Sequence, residues 1–477
     1  MIIMQRTTRI PTTSRTIPRV VLVAALTASS LAAGTVASTT ATAHARTVAA
    51  KKPTPSYLHQ FGTALFDQAT KSAVDSKGNV YVLGNTLGDM DGAGPGVSAG
   101  MDAFLLKKNA SGSITWIKQL GPRNEYGFAL ALGADDSVYV GGMVSGDLDG
   151  NGPQRDNGGL DGWLAKYSPA GKRTWLRQIG GAGNDSVKSL AVSGRTVYVI
   201  GDTANALEPG RPYLGGLSDS FVARYTTSGV NKWFRQYGSD KTDVAQSVTV
   251  GPRGLVYFAG SSEGDVDGPG GGTFNLGSQD AVLGSVKPDG SLRWVTQIGS
   301  LFADAAADVK VDSAGNVYMA GYGQGDLDGG DPRSEHMGAK DAFVAKYSSA
   351  GQQKWVTMLG TTANDDITSM VIDKKDRLFL AGTTRADMNG TFPEIYNGLA
   401  DGWAGRMTAK GRLEWLYQFG GPKSDIPVSV AVSKGGAVYV AGYTNGDIDG
   451  PVGPQVQAGL DDAFLLKLTP EGRFSPS

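Results

Sequence analysis

The sequence predicts an all-β seven-bladed β-propeller with four strands per blade, and three recurrences predict it. One apolar run recurs seven times: VYVLG (80–84), VYVGG (138–142), VYVIG (197–201), VYFAG (256–260), VYMAG (317–321), LFLAG (378–382) and VYVAG (438–442). A second opens with Asp and also recurs seven times, from DAFLLK (102–107) to DAFLLK (462–467). The third, Trp-x-x-Gln-x-Gly, begins at Trp116, Trp175, Trp233, Trp294 and Trp415, with Met358 replacing Gln in the copy at Trp355. Only six copies of this marker follow the others in phase. The chain ends soon after the Pro470-Glu471-Gly472 turn, before a seventh can appear. The missing copy stands at the other end, where YLHQFG (57–62) fits the frame with Tyr57 in place of Trp. An open solenoid needs polar caps at both ends, whereas a ring closed by a borrowed strand needs none.

Taken in order, residues 1–45 read as a signal peptide. They hold four Arg and no acid, an apolar stretch VVLVAALTASSLAAG (20–34), and a small-x-small ending at Ala43-His44-Ala45. Read instead as an uncleaved anchor, the apolar run is short and diluted by Ser and Thr. Residues 46–56 form a polar leader, and 57–477 the propeller, beginning with the closing strand. Each repeat of about 60 residues then supplies short runs rich in Val, Tyr, Phe, Leu and Trp, broken by Gly, Asn, Asp and Ser. In the fifth repeat these are DVKVD (308–312), NVYMAG (316–321), DAFVAKY (341–347) and KWVTMLG (354–360), and none has a helical period. The tryptophans on the fourth strands are expected to pack between blades.

The frame Gly-Asp-x-Asp-Gly, then Asp-Ala-Phe-Leu-x-Lys-Tyr, then Gly-x-x-x-Trp-x-x-Gln-x-Gly resembles the bacterial seven-bladed propeller repeat family SBBP, from Tyr57 to about Gly472. The resemblance implies a propeller in a secreted or cell-surface bacterial protein. It implies no catalytic residues, because the family offers none to carry over.

Composition narrows the function classes. Lys+Arg 44 nearly balances Asp+Glu 45, and four of the bases lie in the signal segment, so the remainder is mildly acidic. Nucleic acid is therefore not an expected partner, since phosphate binding needs a basic patch. With no Cys in the chain, disulfides and thiolate metal sites are excluded; stacked sheets of this size bury enough core without them. No second apolar segment suggests a membrane span after signal cleavage, and a monomer is expected.

Strand order places the short turns, such as DSAGN (312–316) and SSAGQQ (348–353), on one face of the ring. The links from second to third strand and from each blade to the next share the other face. These are the longer ones, with 19 residues between Gly321 and Asp341, and length of that kind usually carries function. Carboxylates recur there at fixed positions. One Asp lies five residues past the Gly ending the fourth strand, at Asp67, Asp185, Asp243, Asp304, Asp365 and Asp425; the second repeat has Tyr126 instead, beside Glu125. Another opens each third strand, at Asp102, Asp161, Asp219, Asp280, Asp341, Asp401 and Asp462. The Gly-Asp-x-Asp-Gly loops add Asp89 and Asp91, Asp147 and Asp149, Asp265 and Asp267, Asp326 and Asp328, and Asp447 and Asp449.

Three readings of these loops stand open. Asp side chains can accept backbone N–H groups in Asx-turns, with Gly supplying positive φ. Two carboxylates at i and i+2 can converge on calcium, the one cofactor the sequence suggests, although the third acid and distal Glu of an EF-hand are missing. An acidic face can also attract basic partners. If the loops bind calcium, full sites are expected in blades one, two, four, five and seven. Blade six, with Asp387 but Asn389, would hold a weaker site, and blade three, where ANALEPG (204–210) has lost both Asp, would hold none.

A catalytic centre on a seven-fold scaffold should appear as broken symmetry. The odd loops are EPGRPYLGG (208–216), with Arg211 and Tyr213, and GGDPRSEHMGAK (329–340), with Arg333, Glu335 and His336. These five are the candidate ligand contacts; Glu335 and His336 could serve acid–base chemistry, but solvated loop residues are the favoured reading. No His-x-x-x-His pair or phosphate loop is present. The expected protein is a secreted or cell-surface binding or scaffolding module for an extracellular protein or glycan. The alternative is a carbohydrate-active or quinone-dependent propeller enzyme.

Overall fold

The computed structural model describes residues 57–92, 100–120, 124–148, 159–207, 213–266, 277–327, 338–388, 399–448 and 460–472. The signal segment and leader lie outside these residues. So do Arg211, Arg333, Glu335, His336, Asp149, Asp267, Asp328 and Asp449.

Among the described residues, 28 strands form seven four-stranded antiparallel sheets. Blade one runs inner to outer as Asp67–Val74, Val80–Thr86, Asp102–Lys108 and Ile114–Gln119. The inner strands of the next five blades are Glu125–Leu132, Asp185–Ser193, Asp243–Val250, Ala305–Val311 and Ser369–Ile372, the last beginning four residues past Asp365. Blade seven comprises Asp425–Val432, Val438–Thr444, Asp462–Leu468 and the N-terminal strand Tyr57–Phe61. Tyr57 lies opposite Lys467 and Phe61 opposite Ala463, the register by which Trp116 meets Lys107 in blade one. The ring closes as the repeat arithmetic requires.

Second and third strands are buried almost throughout, because neighbouring blades cover both faces of each sheet. Such strands read as continuous apolar runs rather than alternating ones. The fourth strands lie half exposed at the outer rim.

Each rim aromatic reaches the next blade. The indole N–H of Trp175, Trp233, Trp294 and Trp415 donates to the carbonyls of Thr227, Pro288, Ser349 and Pro470 at 3.0–3.2 Å. Two residues beyond each acceptor stands a glycine with positive φ, packed against the same ring. At Gly229 (φ 82°), a β-carbon would lie 2.9 Å from the Trp175 ring, so both the dihedral and the close approach require glycine. Tyr57 meets Gly112 in this way at the closing junction. Among the described residues, no helix is long and apolar enough to cross a membrane.

Candidate functional site

Two features on the long-loop side combine repetition with departure from it. The first is the axis. In six inner strands the register slips at the third residue past the acid: between Ala69 and Lys71, Gly127 and Ala129, Val187 and Ser189, Ala245 and Ser247, Ala306 and Asp308, and Pro427 and Ser429. A bulge re-aims the extra side chain. The residues so placed, Thr70, Phe128, Lys188, Gln246, Ala307 and Val428, together with Thr368 of blade six, all line one central cavity of about 530 Å³. Lying near the starts of the inner strands, this funnel opens on the long-loop face. The blade frame repeats, yet these seven residues are of six different types.

Lys71, Lys340, Tyr322 and Tyr443 share the funnel wall. Its cations have anionic neighbours: Lys188 lies 3.7 Å from Asp202 and Lys340 3.2 Å from Asp366. Lys340 also stands over the Tyr322 ring at 3.8 Å, and Lys188 over Phe128 at 4.9 Å. Burial pushes the Asp202 carboxyl up to about 6, against the opposing pull of Lys188 and the Ala245 N–H. Deeper in, Asp308 replaces the serine that blades three, four, six and seven carry, and it ties three blades together. It accepts from Ser247 (2.6 Å) and the Met370 N–H (2.8 Å), and pairs closely with Lys310. Burial lowers the pKa of Lys71, with Asp308 opposing that shift and Lys310 adding to it.

The second feature lies between blades, where carboxylates meet in pairs. The Asp opening a third strand faces the acid opening the next inner strand across the glycine that ends the Trp-x-x-Gln-x-Gly segment. A β-carbon on Gly420 would lie 2.7 Å from Asp401 Oδ1 and 2.8 Å from Asp425 Oδ2; one on Gly238 would lie 2.6 Å from Asp243 Oδ2 and 2.9 Å from Asp219 Oδ1. Gly62 and Gly180 sit likewise between Asp462 and Asp67 and between Asp161 and Asp185. At the first junction the sequence pattern is corrected. Glu125 pairs with Val144 as Asp67 pairs with Thr86, so it occupies the acid's place, and Tyr126 does not. The preceding link is one residue shorter there, and the acid one methylene longer.

The repeated frame holds these acids in place. Asp401 Oδ2 accepts from Gln418 Nε2 (2.9 Å), whose Oε1 accepts the Met388 N–H of the long loop (3.0 Å). Gln178 and Gln236 make the same two contacts, to Asp161 and Leu148 and to Asp219 and Leu207. Asp67, Asp185, Asp243, Asp304, Asp365 and Asp425 each accept the N–H four residues earlier at 2.5–2.8 Å. Burial holds Asp401 and Asp243 up near about 6, and raises Asp185, Asp219, Asp365 and Asp425 as well.

The loop aspartates are more exposed than these acids. Asp89 Oδ1 accepts the Gly92 N–H at 2.8 Å, an Asx-type contact, and Asp91 accepts the Gln119 N–H at 3.3 Å. Asp147, Asp265, Asp326 and Asp447 occupy the corresponding loop positions. Tyr213 stands beside the Asp219–Asp243 junction, not in the funnel. Its hydroxyl donates to Gly216 O at 3.3 Å, and its pKa is raised by burial and by those two acids. The axis residues were not singled out by the sequence pattern, because the positions flanking them in the repeat also vary.

Seven sheets around a funnel, with paired acids at the junctions, define a seven-bladed β-propeller of the repeat-built kind. Residues 293–328 and 414–449 match the SBBP beta-propeller repeat, and the chain carries that repeat. It is also similar to the "Regulatory protein FlaEY" of Caulobacter vibrioides, 26% identical over 405 residues, covering 77% of this chain and 42% of that one. The chain thus spans about two fifths of the length of that relative. Among solved structures, the Kuenenia stuttgartiensis hydrazine synthase aligns over 78% of this chain and 92% of its own, with 13% identity and a TM-score of 0.45. A puromycin hydrolase aligns over 83% of this chain and 53% of its own, with 11% identity and a TM-score of 0.42.

Proposed function

We propose that this chain is an exported binding or scaffolding module that holds an extracellular protein on its long-loop face. The distribution of exposed apolar side chains carries the reading. Leu65, Leu87, Leu214, Leu217, Leu301, Phe302, Leu399 and Leu460 are exposed, and all lie in links on that face. On the short-turn face, the described residues with comparable exposure are Ile114, Val230 and Leu292. Exposed apolar surface concentrated on one side marks an interaction site. Export rests on the signal-like segment 1–45, and Edman sequencing of protein recovered from the culture medium should begin at Arg46.

A photo-crosslinking residue tests the face. Placed at Leu217, Leu301 or Leu460 it should trap envelope or extracellular proteins, and placed at Ile114 or Leu292 it should not. Equal trapping from both faces would remove the proposal. The funnel favours a second ligand class: aromatic rings beside neutralised polar pairs suit a glycan, and Lys188→Ala with Tyr322→Ala should then abolish retention on a glycan array.

A further inference from the structure

The geometry points to hard divalent cations, calcium above all, bound between blades by the paired junction carboxylates rather than by the Gly-Asp-x-Asp-Gly loops. The junction of blades six and seven shows it best. Asp401 and Asp425 are 0% and 1% exposed, and Oδ1 of each lacks a hydrogen-bond partner. At the junction of blades three and four, Asp219 is likewise 0% exposed with Oδ1 unpartnered. Two ionised carboxylates brought together away from water are costly unless a counter-charge joins them. The two axial lysines do not supply it: Lys188 and Lys340 lie beside Asp202 and Asp366.

Glycine at position 420 keeps the space between the acids open, since a β-carbon would stand within 3 Å of an oxygen from each. The backbone carbonyl of Asp447 lies against the adjacent Gly421, whose N–H donates to Asp425 Oδ2. The donor set is oxygen alone, which selects calcium or magnesium over softer metals. Calcium tolerates the irregular shell of carboxylates, carbonyls and water that such a junction offers. Among the described residues no cluster of three acid or His ligands exists, so an affinity of about 10⁻⁴–10⁻³ M, the range of extracellular modules, is expected.

Blade three separates the two placements. Its loop has lost both Gly-Asp-x-Asp-Gly acids, yet its junction pair Asp219 and Asp243 is intact. Crystals of the protein grown with calcium should therefore show anomalous peaks between paired carboxylates, that of blades three and four included. Peaks confined to the loops would overturn the inference. In solution, calcium should raise the melting temperature of the EDTA-stripped chain more than equal magnesium does. The double variant Asp401→Asn/Asp425→Asn should bind about one calcium fewer by equilibrium dialysis, and Asp89→Asn should bind the full number. A melt of the unsubstituted chain that ignores calcium overturns the inference without recourse to any variant.

Discussion

Gln418 shows how a single side chain holds the repeat together. It is 2% exposed, and its amide joins the third-strand acid Asp401 to the long loop at Met388 and Ala386. Gln418→Ala leaves buried groups unsatisfied and should cost about 1–3 kcal/mol in a denaturant titration. Blade five shows the apolar alternative: Met358 stands in the Gln position and shares a buried cluster with Leu327 of its loop. Asp202 gives a pH prediction. Its carboxyl is held near 6, above its unfolded value, so the folded chain takes up a proton first as pH falls. Stability from this group is full below about pH 4 and is lost as pH rises through about 6. Asp202→Asn should flatten the melting-temperature slope between those values; an unchanged slope would place the titration elsewhere. At this scale the sequence displayed the acids and their spacing, because repetition exposes them. It did not reveal which acids are buried, since one letter serves both a solvated loop Asp and a junction Asp.

At the scale of the element, each outer strand is fastened by an aromatic ring on the next blade's glycine turn, and the closing strand has the weakest version. Tyr57 occupies the Trp position but has no indole N–H to offer a turn carbonyl, and its hydroxyl lacks a partner. Tyr57→Trp should let an indole reach Ala110 O and stabilise the ring by about 0.5–1.5 kcal/mol. A lower midpoint in urea would show that the closing junction differs in shape from the others. Gly229→Ala tests the other half of the contact: positive φ and the nearby Trp175 ring should together cost about 1–3 kcal/mol. Strand positions and turn glycines were legible because both follow a short period. The inner-strand bulges were not, because a bulge changes pairing without changing the residue pattern. The side chains it aims at the axis therefore passed as ordinary strand residues.

For the molecule as a whole, Tyr57–Phe61 completes the seventh sheet, so that every blade has four strands. Deleting residues 1–61 exposes the last sheet at Asp462–Leu468, and an unpaired edge invites association between chains. That truncation should lower the melting temperature sharply and broaden size-exclusion profiles; a monodisperse, equally stable product would show that closure contributes little. The seven-fold count and the borrowed strand were readable by aligning the chain with itself. The partner was not, because the surface that would meet it is made of residues that differ from blade to blade.

The borrowed strand has one more consequence. Tyr57 enters the ring, and Thr469–Gly472 leave it, at the short-turn face, so both ends of the propeller sit opposite the funnel and the exposed leucines. A tether, fusion partner or immobilising tag attached at either end acts as a stalk beneath a dish. Whatever holds the ends turns the open side outward.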